Sequence, residues 1–131
     1  MTTKAVFSNP DGVCAPLGLY SHTVVVPSGT ELLFLSGQVG VRPDGSVGGS
    51  IAEQADQVFA NIMALLHAHG LEASNIVKLS TYMVAGHDGR DVRKARLKYL
   101  GSHRPASTAV YVSQLVDPNW FVEVDAVAAV T

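Results

Sequence analysis

The sequence predicts an α+β fold in the order ββαβαββ, with two amphipathic helices on one face of a mixed sheet. Three observations predict it. A capped stretch over 51–69 repeats its apolar residues at helical spacing, and a shorter stretch ending at Gly101 does the same. Five further segments are β-branched or alternating and are bounded by turn signals. The length, 131 residues, suits one domain spanning 1–131. A chain of this size buries about two-thirds of its unfolded surface and needs no disulfide or metal to fold.

Residues 20–26, from Tyr20 and Ser21 through Val24 to Val26, read as a strand, and Pro27-Ser28-Gly29-Thr30 as a turn. Residues 31–41 (ELLFLSGQVGV) read as a second strand, so the two are expected to form a hairpin. Pro43-Asp44-Gly45 is another turn. Ser50 and Glu53 then make a capping box ahead of Ile51, Ala55, Val58, Phe59, Ile62, Leu65 and Leu66, and Gly70 is a natural stop. Residues 75–85 (NIVKLSTYMVA) alternate and are β-branched, a strand. In the second helix Asp88 or Asp91 supplies the cap, and Val92, Ala95 and Tyr99 share one face. Arg90, Lys94 and Lys98 make an outer stripe. Arg96 borders the buried face, so its stem is expected to pack while its head reaches solvent. Residues 106–115 and 120–130 read as two last strands, separated by Asp117-Pro118-Asn119.

The last strand is apolar on both sides. Val122, Val124, Ala126, Ala128 and Val130 face one way, and Phe121, Val127 and Ala129, with Glu123 and Asp125, face the other. A strand of this kind is covered on both faces. Helices cover one, and another subunit is the expected cover for the second. Composition agrees: 47% of residues are hydrophobic and 15% charged, against roughly 25% charged in soluble domains. The same figures exclude a disordered tail, a coiled coil and a low-complexity protein.

Cys14 stands alone, so no internal disulfide forms and a reducing compartment is expected. Lys4 is followed by Asn9, Pro10, Asp11 and Gly12 rather than by the apolar core of a signal peptide. No apolar run approaches the ~20 residues that span a bilayer. These features predict a soluble, cytoplasmic protein with no membrane partner. The net charge of -2 is uneven. Arg90, Arg93, Lys94, Arg96, Lys98 and Arg104 outweigh Asp88 and Asp91 within 86–104, and the remainder is acidic. Such a segment attracts an anionic ligand or RNA, or is simply a solvated helix face.

Glu123 and Asp125 leave the same strand face, with Cα atoms about 6.5–7 Å apart. Carboxylates in an apolar strand are costly to bury unless satisfied. They suit either an acid/base group with a raised pKa, or an ion pair or hydrogen bonding across a subunit contact. His67 and His69 sit about 200° apart around a helix and cannot share a ligand. His87 and His103 read as ordinary surface residues, and His22 as a packing residue able to join a site beside Tyr20. No metal is expected. Ser36-Gly37 interrupts an apolar strand, where glycine marks a bulge or a close backbone approach. Neither a nucleophile elbow nor a phosphate-binding loop is present.

The ordered set of these pieces resembles the Rid/YjgF family of reactive-intermediate deaminases, also labelled endoribonuclease L-PSP, from about Ala15 to Val130. Its carriers are Ala15-Pro16, Gly18-Leu19-Tyr20-Ser21, Leu35-Ser36-Gly37-Gln38-Val39, Gln54, Asn61-Ile62 and His69-Gly70-Leu71. Further carriers are Asn75-Ile76-Val77-Lys78, Arg104-Pro105-Ala106 and the closing Val122-Glu123-Val124-Asp125-Ala126-Val127-Ala128. The resemblance implies a chorismate-mutase-like fold and a homotrimer with three clefts between subunits. It also implies cofactor-free hydrolysis of enamines and imines, such as 2-aminoacrylate, to a keto acid and ammonia.

Carried over residue by residue, Tyr20, Ser36 and Gly37 line the implied pocket. Glu123 and a backbone carbonyl near Ala109 position the attacking water. The family's substrate-carboxylate arginine is absent: Ser107 holds its position in Pro105-Ala106-Ser107-Thr108. Leu19 stands where proline is common, and His22 where glutamine is frequent. An arginine fork holds a carboxylate bidentately. Such a charged hydrogen bond is worth about 1.5–3 kcal/mol, and a serine hydroxyl gives about half. The exchange lowers affinity for a 2-imino acid roughly ten-fold or more. Arg93, Arg96 or Arg104 could replace the missing cation. Alternatively the substrate is neutral or differently charged and is held by Ser107, Thr108 and His22. The chain therefore reads as a divergent Rid-like protein with a small-molecule partner. It is either an imine deaminase or a non-catalytic metabolite-binding trimer. A ribonuclease is the last choice: the overall charge is negative, and neither a histidine pair nor an aromatic platform for RNA is visible.

Overall fold

A computed structural model describes residues 4–131. The strands are β1 (Val6–Ser8), β2 (Thr23–Val25), β3 (Leu32–Val39), β4 (Ile76–Val84), β5 (Ala106–Val112) and β6 (Val122–Ala129). The helices are α1 (Ile51–Ala68) and α2 (Gly89–Leu100), with a 3₁₀ turn at Ala73–Asn75. The four longer strands form a mixed sheet in the order β3-β6-β4-β5. β6 is antiparallel to β3 and β4, while β4 and β5 are parallel. Parallel neighbours need a crossover, and α2 supplies it.

The expected hairpin does not form. β2 pairs with β1, Val6 against Val25 and Ser8 against Thr23, in a separate two-stranded sheet. The Pro27–Thr30 turn is present, its Thr30 N–H donating to the Pro27 carbonyl at 3.3 Å, but it leads into the edge of the other sheet. The Asn9 side chain fixes the alternative by accepting from the His22 N–H at 2.8 Å. β1 itself, three residues long, has no counterpart in the sequence reading.

Ser50 caps α1 by accepting from the Glu53 N–H at 3.1 Å, and Asp88 caps α2 by accepting from the Arg90 N–H at 2.9 Å. Gly70 and Gly101 follow the two helices with φ of +71° and +56°, a region in which other residues are strained. Both helices pack on one face of the sheet. Val58, Ile62 and Leu66 of α1 meet Leu79 of β4 and Val122, Val124 and Ala128 of β6, all fully buried. Each large side chain buried this way contributes about 1.5–3 kcal/mol.

Polar side chains, Gln54 and Asn75 buried and Asn61 half-buried, tie the loops to this core. Gln54 donates to the carbonyls of Gly48 and Asn119 and accepts from the Phe121 N–H. Asn61 donates to the carbonyls of Val39 and Val41, and Asn75 to that of Ala129. These are family-motif residues whose visible contacts are structural.

The other face of the sheet carries no helix. β6 presents Glu123, Asp125 and Val127 there, between Ser80 and Tyr82 of β4 and Phe34 of β3. Phe34 is 72% exposed. Among the described residues no helix is long and apolar enough to cross a membrane.

Candidate functional site

The strand alternation sorts the candidate residues into two groups. Ser107 and Ala109 of β5 pair with Leu79 and Thr81 of β4, on the helix side of the sheet. Glu123 pairs with Tyr82 and Val39, and Thr108 with Ser80, on the open side. The Lys78 ammonium donates to Thr108 Oγ1 at 2.9 Å and anchors that hydroxyl on the open face. One chain therefore does not unite all seven residues.

On the open side, β3 bulges against β6. Leu35 pairs with Ala126 and Gln38 with Val124, so one residue more lies between the pairs on β3 than on β6. Ser36 and Gly37 fill this bulge. The Glu123 carboxylate lies directly over Gly37, where a Cβ would come within 1.9 Å of Oε2 and 2.8 Å of the carboxyl carbon. No side chain larger than hydrogen fits while the carboxylate keeps that seat. Glu123 and Asp125 share one face, as their spacing predicts, and neither forms an ion pair among the described residues.

On the helix side, residues 17–22 run along the start of β5. The Ser21 N–H donates to the Pro105 carbonyl at 3.2 Å, and its hydroxyl to the Arg104 carbonyl at 2.5 Å. Tyr20 follows the same path; its hydroxyl accepts from the Leu17 N–H at 3.0 Å, and its ring meets His22 edge-on at 5.5 Å. His22 Nε2 donates to the Cys14 carbonyl at 2.6 Å, which gives it the packing role expected from the sequence.

A cleft of about 190 Å³ opens here. Gly18 and Leu19 form one wall, Gly89, Val92, Arg93 and Arg96 of α2 another, and Thr81, Met83 and Ala109 the sheet side, with Phe59 among them. A larger cleft of about 750 Å³ lies between Phe7 and the C-terminal ends of both helices; Arg104 lines it, and none of the seven residues above does.

Arg96 departs from its expected place. Its head turns inward: Nη2 donates to the Leu19 carbonyl and, at 2.9 Å, to Ser107 Oγ. Burial, helped by the nearby charges of Arg104 and Arg93, lowers the guanidinium pKa to about 10, so it stays charged at neutral pH. The border position of Arg96 on α2 signalled an unusual residue. Its direction depends on Leu19, 77 residues away in sequence.

His103 is not an ordinary surface residue. It is half-buried, its Nε2 donates to the Ile76 carbonyl at 2.7 Å, and Phe7 packs on it edge-on at 5.0 Å. His87 stacks on Phe121 with ring centroids 4.1 Å apart. Among the described residues no three of His, Cys, Asp and Glu cluster as a metal site would require.

Residues 13–130 match the family model described as Endoribonuclease L-PSP. The yeast protein HMF1, from Saccharomyces cerevisiae, is 36% identical over 114 residues, covering 84% of this chain and 83% of its own. The human 2-iminobutanoate/2-iminopropanoate deaminase is 32% identical over 114 residues, covering 86% of this chain and 80% of its own. The crystal structure of YyfB from Yersinia pestis, described as a protein of unknown function in the conserved Rid family, superposes with a TM-score of 0.86 at 25% identity. It covers 98% of this chain and all of that one. The mixed sheet with its two helices and the match over nearly the whole length place this chain in the Endoribonuclease L-PSP family, the Rid/YjgF proteins.

Proposed function

We propose that the chain hydrolyses small enamine or imine intermediates, of the 2-aminoacrylate type, to a carbonyl compound and ammonia, in a cleft between the subunits of a homotrimer. The observation that carries this reading is the seat of the Glu123 carboxylate over Gly37, which leaves an acid/base group on an open face without an ion-pair partner among the described residues. Names of relatives support the reaction class, since the human protein and that of Dermatophagoides farinae are both called 2-iminobutanoate/2-iminopropanoate deaminase.

An enamine enters as its imine tautomer. Glu123 accepts a proton from water as the water oxygen bonds to the C=N carbon, and passes that proton to the nitrogen to give the neutral carbinolamine. Glu123 then accepts the carbinol O–H proton and hands it to the nitrogen as the C–N bond breaks, ammonia leaves and the C=O double bond forms. One imine and one water give one carbonyl compound and one ammonia, with no redox change. A second copy, laid against the open face, brings Glu123, Ser36 and Gly37 of one subunit to Tyr20, Ser107 and Ala109 of the next. The Ala109 carbonyl then joins Glu123 in holding the water, and Thr108 adds a hydroxyl at the seam.

The test is ammonia release from 2-aminoacrylate generated in situ by a dehydratase. Acceleration by the wild type, cut roughly 10²–10⁴-fold in Glu123→Gln, is the expected result. No acceleration from a folded oligomer overturns it. Ser107 at the arginine position favours a second reading, a non-catalytic metabolite-binding trimer on the same scaffold. Saturable binding of a small acid or ketone without turnover is its signature.

A further inference from the structure

We infer that Arg96, reaching over from α2, holds the carboxylate of the small-molecule ligand in this chain and replaces the cation that Ser107 lacks. The inference rests on the reading above only for the ligand's identity as a 2-imino or 2-oxo acid; the anion site itself rests on geometry.

Arg96 lines the 190 Å³ cleft together with Ala109, Thr81 and Leu19. Its guanidinium is turned inward, yet among the described residues nothing acidic pairs with it. The ion pairs among those residues join Arg42 to Glu53, Arg90 to Asp88 and Lys98 to Asp56, and none includes Arg96. Its Nε is buried and has no hydrogen-bond partner among the described residues. The acceptors that Nη2 does find, the Leu19 carbonyl and Ser107 Oγ, are neutral. The charges that act on it are those of Arg104 and Arg93, which repel it. Buried charges are ordinarily paired, because an unpaired one forfeits its hydration without return. The cleft is therefore one anion short.

Ser107 explains why the guanidinium can sit there. An arginine at 107 would bring a second cation to this spot and compete for its volume. A serine leaves the room empty and offers Oγ as an acceptor, which fixes the rotamer of Arg96 from the sheet side while the Leu19 carbonyl fixes it from the loop side. The two residues are complementary, a short hydroxyl on β5 and a long cation on α2. The rest of the wall selects the remainder of the ligand. Phe59, Met83, Val92 and Leu19 are apolar, so a short aliphatic chain fits behind the carboxylate. Arg93 is exposed and solvated, so one carboxylate rather than two is held tightly.

The experiment is calorimetric titration of the full-length oligomer with 2-oxobutanoate and with butanone, which keeps the short chain and carbonyl but has no charge. Wild type is expected to bind the acid at least ten-fold more tightly than the ketone. Arg96→Gln is expected to lose roughly ten- to hundred-fold in affinity for the acid and almost nothing for butanone. Arg90→Gln, a surface control whose side chain is 89% exposed and paired with Asp88, keeps wild-type affinity. The double variant R96Q/S107R, which moves the cation back to β5, regains affinity for the acid. Equal binding of acid and ketone by wild type, or an unchanged affinity in R96Q, overturns the inference. If R96Q does not fold, Arg96→Lys keeps the charge without the fork, and wild-type affinity in that variant overturns it equally. Turnover is not needed for any of these readings. An enzyme that binds 2-oxobutanoate through Arg96 but hydrolyses no imine upholds the anion site and removes the deaminase. Imine turnover with an unaltered KM in R96Q does the reverse.

Discussion

On the helix side of the central sheet Val122, Val124, Ala126 and Ala128 are at most 2% exposed, whereas on the other side Phe34 is 72% exposed and Glu123, Asp125 and Val127 are half-buried. The same strands build both faces, one residue out of step. The helix face is finished by the chain's own α1 and α2. The open face, with its aromatic ring and its carboxylates, is left uncovered by this chain. One sheet thus carries a side the chain completes and a side it does not, and the alternation of β6 connects them.

That contrast can be broken from the helix side with the largest effect. Ile62→Ala empties a fully buried position of α1 and is expected to cost about 2–5 kcal/mol in urea unfolding, with the open face of the sheet untouched. On the open side Phe34→Asp is expected to act in the opposite sense. It leaves the chain folded but dissociates the proposed trimer, shifting association by about 2 kcal/mol or more, as read by sedimentation equilibrium. A trimer that survives Phe34→Asp would remove the distinction between the faces.

The smallest effect sharpens the comparison at the sheet's margin. Burial first, then the charges of Arg96 and Arg104, holds the His103 pKa below its ordinary 6.5, against the opposing bond to Ile76. The unfolded chain therefore takes up this proton before the folded one. Stability is full above about pH 6.5 and falls as pH drops toward the folded value. Wild type is expected to lose more thermal stability than His103→Gln between pH 7.5 and pH 5.

Which parts of this were readable in the sequence follows from range. α1 was legible because its cap, period and stop are local: Ser50 to Glu53 is one turn, and the stripe from Ile51 to Leu66 repeats on a single element. The two-sided character of β6 was legible because alternation is local too. Pairing is not. The turn at Pro27 is real, but whether β2 joins β3 or β1 is settled by Asn9 and by three residues at Val6–Ser8, too few to show a period. The Ser36-Gly37 interruption was readable as a bulge or close approach, but only the fold supplies the Glu123 carboxylate that lies over it. His103 and Arg96 were misread for one shared reason. Each is polar on a helix border or connection, and each is turned inward by a backbone carbonyl far away in sequence, Ile76 for one and Leu19 for the other.

The bulge in β3 also constrains how this segment can change length. Before it, Leu33 and Leu35 point to the helices and Leu32 and Phe34 away; after it, Gln38 lies opposite Val124 and Val39 opposite Glu123. The extra residue puts the two halves of the strand in opposite phase, each correct for its own neighbours. Deleting Gly37 would close the bulge: Leu35 would stay opposite Ala126 and Gln38 opposite Val124, with Ser36 brought opposite Asp125. Every other side chain would keep its face, and only the backbone seat beneath the Glu123 carboxylate would be gone. Deleting Phe34 would instead turn Leu33 out and Leu32 in. The bulge is thus the place along β3 where losing a residue removes a feature of the site and leaves the core in register.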